Sequence, residues 1–269
     1  IWNRQVEAVI AGAESARVPR AQYSAILIDE GHDFEPEWFK LLVQMIDPET
    51  NSLLLLYDDA QSIYGGKKKR SVSWGSLGVK AAGRSTILKV NYRNTVEALN
   101  FSYQFLSAYI DEASGTEEVP LIHPDAGGRN GRKPLVRRFQ SMAAELDGTV
   151  DWLKQRAAAG VDYNEMAVLC RFNRQIEQLG AALAAKHIPA TSEWNGKAGV
   201  RLMTMHASKG LEFNSVAIPD LGCIPYQNAG ADEEAKLLYV ALTRSTDSLF
   251  VSYHRASDFT RQCERLNFG

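Results

Sequence analysis

Two short uninterrupted apolar runs, Ile26-Leu27-Ile28 and Leu53-Leu54-Leu55-Leu56-Tyr57, are each cut off by a pair of carboxylates, Asp29-Glu30 and Asp58-Asp59. Runs of this length without alternation predict strands buried on both faces, as in a parallel sheet. Between them, Glu35-Pro36-Glu37 places a proline and acids in a helix's first turn. Trp38, Leu41, Leu42 and Met45 form its apolar face, and Asp47-Pro48 stops it. Strand, helix and strand make a βαβ unit whose polar strand ends fall on one edge of the sheet. Asp29, Glu30 and Gln61 can therefore share one site. An earlier helical pattern, Val6, Val9, Ile10 and Ala13 within residues 3–16, ends at Val18-Pro19.

Further along, a basic tract Lys67 to Arg70 and a Ser/Gly-rich stretch precede a short expected strand at Thr86-Ile87-Leu88, and Thr95 is placed to cap a helix running through Ala108. From Asp111 to Lys133 the composition turns to Gly, Pro, Asp and Glu without periodicity, which predicts a long surface loop. A second α/β alternation follows. Its strands are expected at Leu135-Val136, Met166 to Cys170, Val200 to Thr204, Ser215 to Ile218 and 248–253, and its helices run through Trp152-Leu153, through Ile176, Leu179 and Leu183, over 232–243 and at the end of the chain. The pattern is that of an α/β protein with two domains.

Composition narrows this picture rather than redirecting it. A length of 269 residues, a hydrophobic fraction of 45% and a charged fraction of 23% suit a globular protein of two ordinary domains. The net charge of −2 excludes a uniformly basic coat, so contact with a polyanion must come from local patches. Candidates are Lys67 to Arg70, and Arg129, Arg132, Lys133, Arg137 and Arg138, each equally readable as solvated loop charge. The three cysteines, Cys170, Cys223 and Cys263, are too scattered for a metal or redox motif, which predicts a reducing, cytoplasmic setting. No apolar run approaches a membrane span and no secretion signal opens the chain. An Ile in first place predicts a fragment of something longer.

In open α/β sheets ligands bind beyond the carboxyl ends of strands, where Asp29 and Glu30 are expected. In a nucleotide hydrolase, the acid that ends the strand holds Mg²⁺ and the next polarises the attacking water. The plain alternative is an Asp-Glu pair that opens a solvated loop.

Four more segments decide between these. They are Gln61-Ser62-Ile63-Tyr64, Asn91-Tyr92-Arg93, the run from Thr204 through His206, Ser208, Gly210 and Glu212 to Phe213, and Glu234 through Arg244. With Asp29-Glu30 they resemble motifs II to VI of the UvrD/Rep/PcrA-type helicases of superfamily one, in the family's order. The resemblance implies RecA-like parallel sheets. Residues 1–89 would be the C-terminal part of a first RecA-like domain carrying motifs II and III, and 90–269 a second one carrying motifs IV to VI. ATP would lie between the domains, with single-stranded DNA crossing them and translocation running 3′ to 5′, in DNA repair or recombination.

By the same resemblance Asp29 and Glu30 would serve Mg²⁺ and water activation. Gln61, Arg93 and Arg244 would contact the γ-phosphate, Glu212 the ribose, and Gly210 would belong to the nucleotide site. Tyr64, Thr204, His206 and Ser208 would lie along the DNA. An arginine reaching the γ-phosphate from another domain makes hydrolysis depend on closure, and its planar fork suits phosphate better than lysine does. Hydroxyls and imidazoles can bond phosphate without reading sequence. The expected partners are single-stranded DNA and a P-loop-bearing N-terminal segment of the same protein; the expected state is a monomer away from membranes.

Several departures stand out. His32 occupies a position where the family usually has Gln. Gly65-Gly66 and the basic run replace the aromatic and arginine that close motif III, so one base-stacking platform is expected to be missing or supplied by Trp74. No G-x-x-x-x-G-K-[ST] occurs, so the chain alone is expected not to hydrolyse ATP. About ten residues join Pro189 to Val200 where these helicases insert a helical subdomain, so that insert is expected to be missing. Rival readings are a non-catalytic scaffold and the motor part of a helicase–nuclease.

Overall fold

The computed structural model describes residues 2–58, 73–88, 90–110, 125–193, 198–226 and 229–268. The chain divides into two compact units, one built on Ile1–Leu88 and the other on Lys89–Asp111 with Ile122–Gly269. Among the described residues no helix is long and apolar enough to cross a membrane.

Unit one holds helix α1 (Trp2–Glu14), strand β1 (Ala25–Ile28), helix α2 (Pro36–Met45) and strand β2 (Ser52–Leu55). Pro36 and Glu37 occupy the first turn of α2, where a missing N–H costs nothing and a negative charge meets the helix dipole. The two strands pair in parallel from Ala25↔Ser52 to Ile28↔Leu55. One face of this pair packs into a small core: Ile26, Ile28, Leu53 and Leu55 meet Phe39, Leu42, Leu77 and Trp74. On the other face Leu27 is 74% exposed, Leu54 51% and Leu56 45%. Trp74 belongs to that core, edge-on to Phe39 and Tyr57 at 5.4 and 5.1 Å. Thr86-Ile87-Leu88 forms no strand; the run is exposed and finds no partner strand among the described residues.

Unit two is built on a six-stranded, wholly parallel sheet whose strands, in spatial order, are β5 (Leu135–Arg138), β10 (Ser245–Tyr253), β9 (Phe213–Ile218), β6 (Met166–Cys170), β8 (Val200–Thr204) and β7 (Ala190–Thr191). Helices α4 (Met142–Ala158) and α5 (Asn173–Ala185) cover one face, where Trp152, Leu153, Leu179 and Leu183 pack on Met166, Val168, Leu202 and Phe250. Helix α6 (Ala231–Leu242) lies against β9 and β10, buried from Glu234 to Leu242. Helices α3 (Val96–Ser107) and α7 (Asp258–Phe268) meet through Phe105 and Phe259, ring centres 5.1 Å apart. Every residue of β6 is buried, as a strand covered on both faces requires.

The expected surface loop from Asp111 to Lys133 is in part structured. Two short strands, β3 (Val90–Asn91) and β4 (Asp125–Ala126), pair in parallel. The Arg129 carbonyl accepts the Val96 N–H at 2.9 Å, and the Gly131 N–H donates to Glu97 at 2.7 Å. A Gly/Pro-rich composition lowers intrinsic order, and these backbone partners supply what composition lacks. Between β7 and β8, among the described residues, no helical subdomain intervenes.

Candidate nucleotide and DNA site

In unit one, β1 delivers Asp29 and Glu30 to its C-terminal end. Asp29 is exposed and its Oδ1 accepts the Glu30 N–H at 2.9 Å. Glu30 sits in the left-handed region (φ 52°, ψ 38°), an uncommon conformation for a residue with a Cβ. Its Oε2 lies 2.9 Å from Nε2 of the buried His32, whose Nδ1 accepts the Asp58 N–H at 3.1 Å. Carboxylate oxygens are the donors a hard divalent cation takes, so Asp29 and Glu30 fit Mg²⁺. Glu30, His32 and Asp33 carry ligand atoms within 4.8 Å of one another. His32 adds no ligand there, because its Nδ1 is an acceptor and its proton therefore resides on Nε2. Gln61 and Tyr64, expected at the γ-phosphate and on the DNA, lie outside the described residues, as does the tract Lys67 to Arg70.

In unit two, segments distant in sequence converge. Arg93 follows β3, and its Nε lies 2.8 Å from Glu212 Oε2, both side chains partly exposed. Arg244 follows α6 and is 1% exposed. Its Nε donates to the Val240 carbonyl at 2.9 Å and its Nη1 to the Leu211 carbonyl at 3.2 Å, while its own carbonyl accepts the Phe213 N–H at 2.9 Å. Asn94 fixes the segment from the other side. Its Nδ2 donates to the carbonyls of Thr243 (2.8 Å) and Ser245 (2.7 Å), the residues flanking Arg244. Asn91 holds this turn by accepting the Arg93 and Asn94 N–H groups on Oδ1. Two arginines and the carboxylate of Glu212 are thus gathered at one place. Gly210 supplies the turn before Glu212 with φ +78°, which glycine adopts without strain.

The expected DNA residues lie at the end of β8. Thr204 closes the strand, and its Oγ1 accepts the Ala207 N–H at 3.2 Å. Ser208 is fully buried and its Oγ donates to the Met205 carbonyl at 2.7 Å, so its hydroxyl serves the turn. His206 is half-buried; its pKa is lowered, first by desolvation and then by Arg171, with Glu234 opposing, so the ring is neutral near pH 7. Arg171 follows β6, whose Cys170 lies in register with Thr204, and it forks onto the buried Glu234 with contacts of 2.9 to 3.2 Å. The register is what brings Arg171 to the same sheet edge as His206.

Two groups escaped the sequence reading. Asn94 closes the Arg244 turn, and a second Asn after Asn91-Tyr92-Arg93 was the available signal. Glu145, in the first turn of α4, is buried and accepts the Asp220 N–H at 2.6 Å and the Ser252 hydroxyl at 2.7 Å, with His254 Nδ1 at 2.6 Å. That network lies at the C-terminal ends of β9 and β10 and had no sequence signal beyond an acid in a helix's first turn. Burial raises the thiol pKa of Cys170 and Cys263, and that of Cys223 to about 12, which favours the protonated thiol.

A parallel α/β unit that gathers arginines and a carboxylate at loops beside its sheet is of the RecA-like class. Its fold is shared by the C-terminal domain of a possible DNA helicase from Lactobacillus plantarum, with a TM-score of 0.51, 23% identity, and coverage of 65% of this chain and 96% of that one. The sequence matches the UvrD-like helicase C-terminal domain family over residues 86–193 and 192–256, and the chain belongs to that family. It is 26% identical over 262 residues to a "probable DNA helicase" of Mycoplasma pneumoniae, covering 90% of this chain and 46% of that protein. It is 24% identical over 182 residues to the ATP-dependent DNA helicase PcrA of Staphylococcus aureus, covering 64% of this chain and 24% of PcrA. A 61-residue stretch is 48% identical to the ATP-dependent DNA helicase Rep of Buchnera aphidicola, covering 20% of this chain and 9% of Rep. The chain spans less than half the length of each of these three relatives.

Proposed function

We propose that this chain is part of an ATP-dependent DNA helicase or translocase acting on single-stranded DNA, moving 3′ to 5′ and serving repair or recombination. The observation that carries the reading is the convergence of Arg93, Glu212 and Arg244 in unit two. Residues 1–89 are then the C-terminal part of one RecA-like domain and 90–269 a second.

Phosphoryl transfer spreads negative charge over the γ-phosphate oxygens, and fixed cations stabilise that charge by roughly three to five powers of ten in rate. Arg93 and Arg244 supply those cations in this reading, and Glu212 recognises the ribose. Breaking the Arg93–Glu212 pair releases both groups for nucleotide. Mg²⁺, when bound, neutralises phosphate charge, and Asp29 holds it. Glu30 takes the proton of the attacking water. Gln61 reports the γ-phosphate to the DNA-contacting Tyr64. Thr204 and His206 line the DNA path while the buried Ser208 braces their turn, and the neutral His206 offers a hydrogen bond rather than a charge, suited to contact without sequence reading.

The test is ATP hydrolysis by the full-length protein with and without single-stranded DNA, beside its Glu30→Ala variant. Turnover stimulated by DNA and lost in Glu30→Ala is expected, with a fall of about 100-fold or more. No turnover in either protein would leave the scaffold reading in its place.

A further inference from the structure

His32 stands at the site but none of the roles above uses it. The ring is 2% exposed and is wedged edge-on against Tyr57, with centroids 5.7 Å apart and planes at 87°. Its two nitrogens face different strand ends. Nε2 meets Glu30 Oε2 at 2.9 Å, just beyond β1, and Nδ1 meets the backbone N–H of Asp58 at 3.1 Å, just beyond β2. The Asp33 carboxylate is a more distant 3.9 Å from Nε2.

A backbone N–H can only donate, so Nδ1 is the bare nitrogen and Nε2 carries the hydrogen. Nε2–H then donates to Glu30. The backbone prepares this geometry: Leu56 N–H donates to the Ile28 carbonyl at 2.8 Å and Gly31 N–H to the Leu56 carbonyl at 2.9 Å, which carries the ladder past the end of β1. Glycine at 31 leaves this approach open, since a Cβ there would lie 2.3 Å from Leu55 Cδ1 and 3.2 Å from the Leu56 carbonyl oxygen. His32 is thereby held close enough to reach both strand ends.

We infer that His32 is the positioning residue of Glu30, its neutral ring fixing one carboxylate oxygen of Glu30 while anchored on the Asp58 backbone. The inference deepens the proposed function and rests on it. Glu30 is a long side chain on a left-handed turn, with 42% of the side chain exposed. Such a group samples many rotamers, and a proton acceptor acts only in the geometry that meets the attacking water. A hydrogen bond from a buried, doubly anchored ring selects one of those orientations. His32 touches neither substrate nor metal in this account, and its whole effect passes through Glu30.

Two amide substitutions separate the two ends of the ring. In His32→Asn the amide falls near Nδ1, keeping a partner for the Asp58 N–H but not reaching Glu30. In His32→Gln the longer amide reaches the Nε2 position and can donate to Glu30. The experiment measures kcat and KM for ATP in the full-length protein at saturating single-stranded DNA for wild type, His32→Asn, His32→Gln and Glu30→Gln, with the thermal midpoint of each. The expected result is a kcat loss of about 10-fold or more in His32→Asn with KM within about 3-fold of wild type, and a kcat restored to within about 3-fold of wild type in His32→Gln. Wild-type kcat in His32→Asn, or a His32→Gln as slow as His32→Asn, overturns the inference when Glu30→Gln is inactive. Full turnover in Glu30→Gln overturns the functional reading itself. Should His32→Asn melt early, His32→Gln at an equally low midpoint but with normal kcat supports positioning, and equal losses of kcat in both contradict it.

Discussion

The β1–β2 pair of unit one and the six-stranded sheet of unit two meet water on very different terms. In unit two every residue of β6 is buried, and both faces of the sheet carry helices. In unit one the β1–β2 pair has one covered face and one on which Leu27, Leu54 and Leu56 stay about half or more exposed. The sequence signal is the same in both, a continuous apolar run ended by polar residues. The difference teaches that such a run states how a strand is to be buried, and that its coverings come from elsewhere in the chain. A parallel pair standing alone is rarely stable, since its register and both its faces rely on neighbours. Unit two has those neighbours among its own residues.

The largest effect that sharpens this contrast is a matched pair of truncations. Leu153→Ala, fully buried in unit two, is expected to cost about 2–5 kcal/mol, and Leu27→Ala, 74% exposed, less than about 0.5 kcal/mol in the same 269-residue chain. Urea unfolding of the two variants measures both; equal losses would break the contrast. A smaller effect is expected at the turn around Arg244. Asn94→Ala leaves the Thr243 and Ser245 carbonyls without their buried donor and is expected to cost about 1–3 kcal/mol. Amide exchange accelerated at Thr243 to Phe250 and unchanged in unit one is the signature to look for.

The smallest effect is a pH dependence. Burial lowers the His206 pKa below its unfolded value, so the unfolded chain binds more protons as the pH falls through about 6.5. The stability tied to neutral His206 is thus fully present above that pH and is lost as the pH drops from it toward the lowered folded value. His206→Gln is expected to flatten the part of the stability profile that lies below about pH 6.5. A profile identical to wild type would show that His206 titrates normally.

Much of this architecture is legible in the residues, and the misses have physical causes. The fully apolar run Met166 to Cys170 could be read directly because burial on both faces leaves no room for a polar position. The placement of Asp29 and Glu30 at the C-terminal end of β1 is legible because the run before them ends so abruptly. Thr86-Ile87-Leu88 misled, since β-branched and aliphatic residues favour a strand only where a partner strand receives them. Asn94 was opaque because its partners lie 149 and 151 residues away, a distance only the fold closes. Ser208 looked like a DNA contact by its place in a motif, whereas here its hydroxyl is spent on the Met205 carbonyl within the turn. The link from His32 to Asp58 was hidden for the same reason as Asn94, since the ring bonds a backbone N–H 26 residues away in sequence.

In the proposed function Asp29 and Glu30 act on a nucleotide whose phosphate cradle, a G-x-x-x-x-G-K-[ST] loop, does not occur in these 269 residues. The most direct measurement is ATP turnover by the 269-residue chain alone beside the full-length protein, each with saturating single-stranded DNA and each repeated as Glu30→Ala. The expected result is Glu30-dependent turnover in the full-length protein and none above background in the shorter chain. Robust Glu30-dependent turnover by the shorter chain alone would contradict the account.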